Sequence, residues 1–138
     1  MRFPYHGAGI GLVLDGKVLM GKRADSPFKG SWSVPGGGRE KGLDTDKFAT
    51  AVREFKEETE LSFNDLHASF ICKWTLKAPF FSWTTYYYRI SKLDQKPVPH
   101  EFFELKWLDP NDIINGTDKK KHFRPFTKSE VRCLLNNL

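Results

Sequence analysis

The sequence predicts an α/β sandwich built on a mixed β-sheet, and three observations predict it. Two apolar runs flank Asp15-Gly16, a helix-period stripe occupies residues 46–59, and three strand-like segments follow that stripe. Elements mixed in this way bury their apolar faces by packing helices on a sheet. Ala8 to Leu14 is small and apolar, and Lys17 to Met20 follows the Asp-Gly pair. Both turn residues tolerate positive φ, so a β-hairpin ending near Arg23 is expected. Ser26-Pro27 and Gly30 mark a loop, Trp32-Ser33-Val34 is a short extended stretch, and Pro35 ends it. Gly36-Gly37-Gly38 frees the backbone and reads as a loop.

From Asp46 to Thr59 no Gly or Pro interrupts the chain, and Phe48, Val52 and Phe55 fall at i, i+4 and i+7. That is the apolar stripe of an amphipathic helix, with Asp44 or Thr45 as its N-cap. Ala68–Leu76, Phe80–Ile90 and Phe102–Leu108 read as strands from their aromatic and β-branched content. In the second of these, Phe81, Trp83 and Tyr87 alternate with Phe80, Ser82, Thr84, Tyr86 and Tyr88. Most of these rings read as core, with one face available as a base-stacking wall. Asp109-Pro110-Asn111-Asp112 reads as a turn into a short helix. Thr127–Leu138 reads as a terminal helix capped by Thr127 or Ser129, with Val131, Leu134, Leu135 and Leu138 inward.

A length of 138 residues suits one domain over residues 1–138, long enough for a core without staples. Cys72 and Cys133 form no CxxC pair, and His6, His67, His100 and His122 have no ligand spacing, which excludes a zinc site of the usual kind. The cysteines read as free structural thiols and the histidines receive no role. Met1-Arg2-Phe3-Pro4-Tyr5 has no signal-peptide core and no stretch is long enough to span a bilayer, so a soluble, cytoplasmic protein without a membrane partner is expected. The net charge of +5 suits anionic partners such as nucleotides. The run Lys119-Lys120-Lys121-His122-Phe123-Arg124 reads as a solvated loop, so a nucleic-acid partner is not expected.

The informative segment is Arg53-Glu54-Phe55-Lys56-Glu57-Glu58. Glu54, Glu57 and Glu58 share one helix face, opposite Val52 and Phe55. Three adjacent carboxylates repel, and a hard divalent cation such as Mg²⁺ relieves that repulsion while still binding substrate phosphates. A solvated face paired with Arg53 and Lys56 would carry the same residues. The Pro-Gly-Gly-Gly segment ahead of the helix favours a site, because bare backbone there can approach an anion or metal closely.

Gly36-Gly37-Gly38 followed by Arg53-Glu54-Phe55-Lys56-Glu57-Glu58-Thr59-Glu60-Leu61 resembles the Nudix box. That pattern runs Gly, five residues, Glu, seven residues, then Arg-Glu-apolar-any-Glu-Glu-any-Gly-apolar. Gly21-Lys22-Arg23, Pro27, Gly30, Trp32 and Val34-Pro35-Gly36-Gly37 resemble the strand and loop that lead into it. Two departures stand out. The span from Gly37 to Arg53 is two residues longer than the pattern, so Thr45 stands where the first Glu should be, between Asp44 and Asp46. Glu60 replaces the usual Gly, so a different helix exit is expected.

The resemblance implies a Nudix-type α/β/α sandwich and a Mg²⁺-dependent pyrophosphohydrolase, with Mn²⁺ as an alternative cofactor. Water would attack phosphorus in the diphosphate of a nucleoside triphosphate or nucleotide sugar. Arg53, Glu54, Glu57 and Glu58 would be the catalytic set. Metal would be held by Glu54, Glu57 and Glu58, by the Gly37 or Gly38 carbonyl, and by a later Glu, for which Glu101 and Glu104 are the candidates and Glu104 the one chosen. Lys22, Arg23 and Gly38 would contact substrate, and Asp44 or Asp46 would orient Arg53 in place of the missing Glu. The upstream motifs also resemble GDP-mannose hydrolases, which attack the sugar carbon, but the full Arg-Glu … Glu-Glu set favours attack at phosphorus. The alternative class is a nucleotide-sensing Nudix-like domain that does not hydrolyse; an RNA-end hydrolase is a third reading that the basic charge suggests. The partner implied is a small-molecule nucleotide, and many relatives pair as homodimers.

Overall fold

Strand β1 (Tyr5–Leu14) organises the fold because both of its edges are used. Along one edge it pairs in parallel with β6 (Phe81–Ile90), from Tyr5 opposite Phe81 to Leu14 opposite Ile90. The other edge is divided. Val13 and Leu14 pair with β2 (Lys17–Arg23), whereas Gly7, Ala8 and Gly9 pair with β4 (Gly36–Gly38). Asp15 and Gly16, with φ of 52° and 77°, make the tight turn that the Asp-Gly pair predicts. Beyond Val18 the strand β2 leaves β1 and pairs with β3 (Ser31–Ser33) through Gly21 and Lys22. Its other edge carries β7 (Phe102–Leu108). The outermost strands are β5 (Ser69–Ala78), antiparallel to β6, and β8 (His122–Phe123), parallel to β3. The sheet is therefore mixed, and the first hairpin opens like a fork whose two prongs carry β3 and β4. The computed structural model describes residues 3–138; Met1 and Arg2, read above as part of a stretch without a signal core, lie outside them.

Helix α1 (Lys47–Thr59) covers one face of the sheet. Its Ala51 and Phe55 pack with Ala8, Ile10 and Leu12 of β1 and with Leu19. Helices α2 (Pro110–Asn115) and α3 (Thr127–Leu135) cover the other face, where Ile113, Val131 and Leu134 meet Val13, Val18, Trp83 and Tyr87. The result is the expected α/β/α sandwich. Alternation along β1 explains the division. Its even residues face α1, and on its odd face Gly7, Gly9 and Gly11 leave room for β6 aromatics. A Cβ at Gly11 would stand 2.3 Å from the Tyr87 ring, and one at Gly7 2.8 Å from Trp83.

Several local expectations are corrected. Residues 36–38 form a strand rather than a loop. Glycines carry no strand pattern of their own; the open edge of β1 recruits them, through Ile10 N–H to the Pro35 carbonyl at 3.0 Å and Arg39 N–H to the His6 carbonyl at 2.8 Å. The N-cap of α1 is Asp46, not Asp44 or Thr45, and its carboxylate accepts from Ala49 N–H at 2.8 Å. At the far end Glu60 takes φ of 65° and its N–H reaches the Lys56 carbonyl, so the helix exits through the same left-handed turn a glycine would make. The strain of a side chain there is roughly 1–2 kcal/mol, and it is opposed by the contact of Glu60 Oε2 with His100 Nε2 at 2.5 Å. Helix α3 ends at Leu135, leaving Leu138 exposed, and its cap position Phe126 makes no side-chain cap bond. The basic run is only partly solvated: it contains β8, and Arg124 is 6% exposed. Cys72 and Cys133 are free thiols with sulfurs 3.4 Å apart. Among the described residues no helix is long and apolar enough to cross a membrane.

Gly11→Ala places a methyl group inside the Tyr87 ring position and is expected to lower unfolding free energy by about 1–3 kcal/mol. Urea denaturation of the two proteins measures this, and an unchanged midpoint would contradict the packing described.

Candidate active site

A cavity of about 520 Å³ opens where β1 and β2 diverge. Helix α1 contributes Glu54 and Glu58, one turn apart on one face. That face lies against β4, and the absence of side chains there permits the approach. A Cβ at Gly37 would come within 2.5 Å of the Glu54 carboxyl carbon. Gly36 donates its backbone N–H to Glu58 Oε1 at 2.7 Å. Gly38 turns its carbonyl outward to accept from Arg53 Nη2 at 3.0 Å. Gly37 pairs with Ala8 between the Ile10–Pro35 and His6–Arg39 bonds, so the ladder alternation aims its carbonyl at β1 instead.

Arg53 is the hub that fixes this face. Its Nε and Nη2 donate to the two oxygens of Asp44, each at 2.9 Å, a bidentate pair with a nearly buried carboxylate. Asp44 also accepts from Thr50 Oγ1 at 2.9 Å and from Glu40 N–H at 2.8 Å. The remaining nitrogen, Nη1, donates to Glu54 at 3.1 Å and to Glu57 at 3.2 Å. The bonds from Arg53 hold the Asp44 carboxyl far below the usual carboxylate range. Asp44 thus occupies the place in the longer loop for which Asp44 and Asp46 were both candidates; Asp46 is spent as the helix cap.

Burial pushes the Glu54 carboxyl up to about 7, against the pull of Arg53 and helped by the charge of Glu57. Burial pushes Glu58 up to about 9, with Glu54 and Glu101 adding repulsion against the Gly36 amide. Glu101 reaches the cavity on the segment after β6. That segment is tied to the end of α1, where Val98 and His100 donate to the Thr59 and Glu58 carbonyls at 3.0 and 3.1 Å. These bonds satisfy carbonyls that a helix end leaves unpaired. Glu101 itself has φ of 62° and its carbonyl accepts from Ala24 N–H.

The structure brings Glu54, Glu58, Gly37, Gly38 and Arg23 to one cavity. Arg23 is steadied by its Nε bond to the Pro27 carbonyl at 2.9 Å. Glu57, Lys22 and Glu104 do not line it. Glu57 is on the outer flank of α1, its side chain 55% exposed beside Arg53. Lys22 and Glu104 are cross-strand partners on β2 and β7; Lys22 lies 6.0 Å from the Phe103 ring centre and Glu104 pairs with Lys106. Of the two later glutamates the cavity therefore takes Glu101, not Glu104. Arg124, Tyr5, Phe81 and Trp83 also line it, and only the aromatic alternation on β6 hinted at such a wall.

Among the described residues no three acidic, histidine or cysteine side chains stand close enough to form a ready-made metal cage. The carboxylates nevertheless fit Mg²⁺. That ion is commonly held by one or two carboxylates together with substrate phosphates rather than by an all-protein cage. Glu54 and Glu58 are such a pair, crowded and partly desolvated, with Arg53 paired to Glu54 and Arg23 acting on Glu58 only through its charge.

The family model for the NUDIX domain matches residues 4–129. Comparison with the curated proteins finds none that matches. Among solved structures, the chain resembles an Ap4A hydrolase of C. elegans in a binary complex, with 17% identity, 96% of each chain covered and a TM-score of 0.72. It also resembles a MutT NUDIX hydrolase from Burkholderia pseudomallei, with 22% identity, 99% of each chain covered and a TM-score of 0.64. A bifunctional NMN adenylyltransferase/ADP ribose pyrophosphatase from Francisella tularensis, complexed with AMP and a Mn ion, aligns at 17% identity and a TM-score of 0.77. The alignment covers 96% of this chain but only 41% of that one. At these identities the structures speak for the fold; the family match, over most of the chain and over the box and the cavity it builds, establishes that the chain belongs to the Nudix family.

Proposed function

We propose that this chain is one Nudix domain over residues 1–138 that hydrolyses the diphosphate linkage of a nucleoside triphosphate or nucleotide sugar, with Mg²⁺ as cofactor and Mn²⁺ able to replace it. The carrying observation is the convergence of Glu54, Glu58 and Glu101 with Arg23 in one cavity backed by bare glycine strand. Glu54, Glu58 and Glu101 would hold the metal, with Glu57 completing the negative field from the flank. An ion held there would neutralise phosphate charge and acidify water. Glu54, oriented by Arg53, would take the proton of the attacking water. Arg23 receives phosphate, and Arg53, anchored on Asp44, orients Glu54. The cytoplasmic location and a homodimeric state belong to this reading as expectations, checked by fractionation and by sedimentation.

The test is product release from nucleoside triphosphates, nucleotide sugars and dinucleoside polyphosphates, each with Mg²⁺, Mn²⁺ or EDTA. Turnover should need the metal and fall about 10²–10⁴-fold in Glu54→Gln and in Glu58→Gln. Gly37→Ala, which drives a methyl group into the Glu54 carboxyl, should fall with them. In H₂¹⁸O the label should enter phosphate; label in the sugar would replace attack at phosphorus by attack at carbon. Turnover unaffected by EDTA would overturn the proposed cofactor role.

Asp44→Asn should cost about 3–5 kcal/mol of stability at neutral pH, because Arg53 loses its buried partner. The sign with pH follows from the lowered carboxyl. Its stabilisation is complete above about pH 4 and is lost as pH falls toward the depressed value. Acid unfolding curves should therefore show a steeper loss below about pH 4 in the parent than in Asp44→Asn. Parallel curves would contradict the assignment.

A further inference from the structure

Helix α3 rests on a surface that packs it without satisfying it. Among the described residues, the Thr127 hydroxyl on α3, the Tyr87 hydroxyl in the core cluster that α3 covers and two N–H groups of Arg124 beside Glu130 are buried with no hydrogen-bond partner. Groups left so weaken the interface that buries them. At the margin of the same surface two thiols meet. A bulge between Phe70 and Cys72 breaks the alternation of β5, so Ile71 and Cys72, adjacent in sequence, both pack with the core under α3. On α3 itself Thr127, Glu130, Val131 and Leu134 are buried, and Cys133 sits half-buried at the edge of that stripe. The Cys133 thiol lies 3.4 Å from Cys72 Sγ and 3.8 Å from the Lys73 carbonyl. The Cys72 thiol in turn donates to the Cys133 carbonyl at 3.5 Å. Neither cysteine lines the active-site cavity.

Bonded sulfurs stand about 2.05 Å apart. From 3.4 Å the closure is roughly 1.4 Å, a side-chain movement between two elements that already touch. A fully buried thiol is sealed from reagents. This pair is not, because Cys133 opens toward solvent while Cys72 lies beneath it. We propose that Cys72 and Cys133 form a modification site, a dithiol that a small disulfide such as oxidised glutathione converts reversibly into an intramolecular disulfide, fastening α3 to β5. The exchange balances without a further reactant. The Cys133 thiolate attacks one sulfur of glutathione disulfide, forms a mixed disulfide and expels one glutathione thiolate. The Cys72 thiolate then attacks the Cys133 sulfur and expels the second glutathione thiolate. Two protein thiols are oxidised, one disulfide is reduced, and the two protons pass to the two glutathiones. Burial pushes the Cys72 thiol up to about 12, helped by its bond with Cys133, so the second step is the slower one and quickens as pH rises.

The test incubates the folded full chain in mixtures of reduced and oxidised glutathione, quenches with acid, and reads intact mass and free thiols. The parent should lose both thiols and about 2 Da, retain no glutathione, and recover both thiols in dithiothreitol. Its melting temperature should rise by roughly 5–10 °C on oxidation, since the bond joins positions 61 apart in the chain. Cys72→Ala should stop at the mixed disulfide and keep one glutathione on Cys133, whereas Cys133→Ser should take up none. Melting curves identify a variant that has lost its fold, and the parent's mass and thiol count then decide alone. Two thiols that persist in the folded parent at every glutathione ratio overturn the proposal. A stable glutathione adduct on the parent, or a disulfide-linked dimer in place of the intramolecular bond, overturns it as well. A bond that forms without raising the melting temperature overturns the fastening of α3.

Discussion

The approach of helix α1 to a strand without side chains is the constraint on which the rest depends. Gly36–Gly38 lets the acidic face of α1 touch backbone directly. One outward amide goes to Glu58, one outward carbonyl to Arg53, and the space where a Cβ would stand at Gly37 is filled by the Glu54 carboxyl. A side chain at Gly37 would push the helix off the sheet or the carboxylates out of the cavity, whereas one at Gly36 would collide with β1 and Trp83, and one at Gly38 would press on Tyr5. The neighbouring strand obeys a related rule. Gly7, Gly9 and Gly11 thin the odd face of β1 so that Trp83 and Tyr87 can lie across it, and Trp83 then forms part of the cavity wall. Glycine serves here as missing volume more than as conformational freedom.

A face so crowded with carboxylates is held against its own repulsion. Burial and mutual charge raise Glu54 and Glu58 well above ordinary carboxylates. The compensating cation, Arg53, reaches Glu54 but not Glu58, and two of its nitrogens are committed to Asp44. That commitment is structural: Asp44 closes the longer loop and ties it to Glu40 and Thr50 as well as to Arg53. The residual negative field is what a divalent cation, bridged by substrate phosphate, would relieve. Stability and function are thus assigned to different partners of one arginine. Asp44 supplies the buried anchor, while Glu54 and Glu57 receive the remaining donor.

Much of this was legible in the sequence wherever local chemistry decides. The Asp-Gly hairpin, the α1 stripe, the strands after it and the metal-suited glutamates depend on neighbours within one or two turns of chain. What the sequence hid depends on distant partners. Gly36–Gly38 has no strand signature, since only the edge of β1 makes it one. Asp44 and Asp46 are equivalent by spacing, and tertiary contacts give one to Arg53 and the other to the helix cap. Glu101 and Glu104 both precede Trp107, and the attachment of residues 98–100 to the end of α1 decides between them. Arg124 sits next to three lysines, so composition says solvent, yet β8 and the first turn of α3 draw it beneath Trp83 and Phe126. Leu138 fails in the opposite sense, because the periodic stripe continues after the helix has run out of surface to cover.

The divided edge of β1 explains why one cavity is lined by both carboxylates and aromatic rings. Had β1 and β2 stayed paired along their length, β4 would have no edge to join and the helix carboxylates no backbone to rest on. Because the hairpin opens after Val13 and Val18, β4 fills the gap on the β1 side and carries the acidic face of α1 with it. On the β2 side, β3 recruits β8, and the chain leaving β8 delivers Arg124 to the cavity wall. Carboxylates from α1, glycine backbone from β4 and rings from β1 and β6 therefore line one space because a single strand pair separates early, and the bare Gly37 that lets α1 rest on β4 sets how closely the Glu54 carboxyl approaches that backbone.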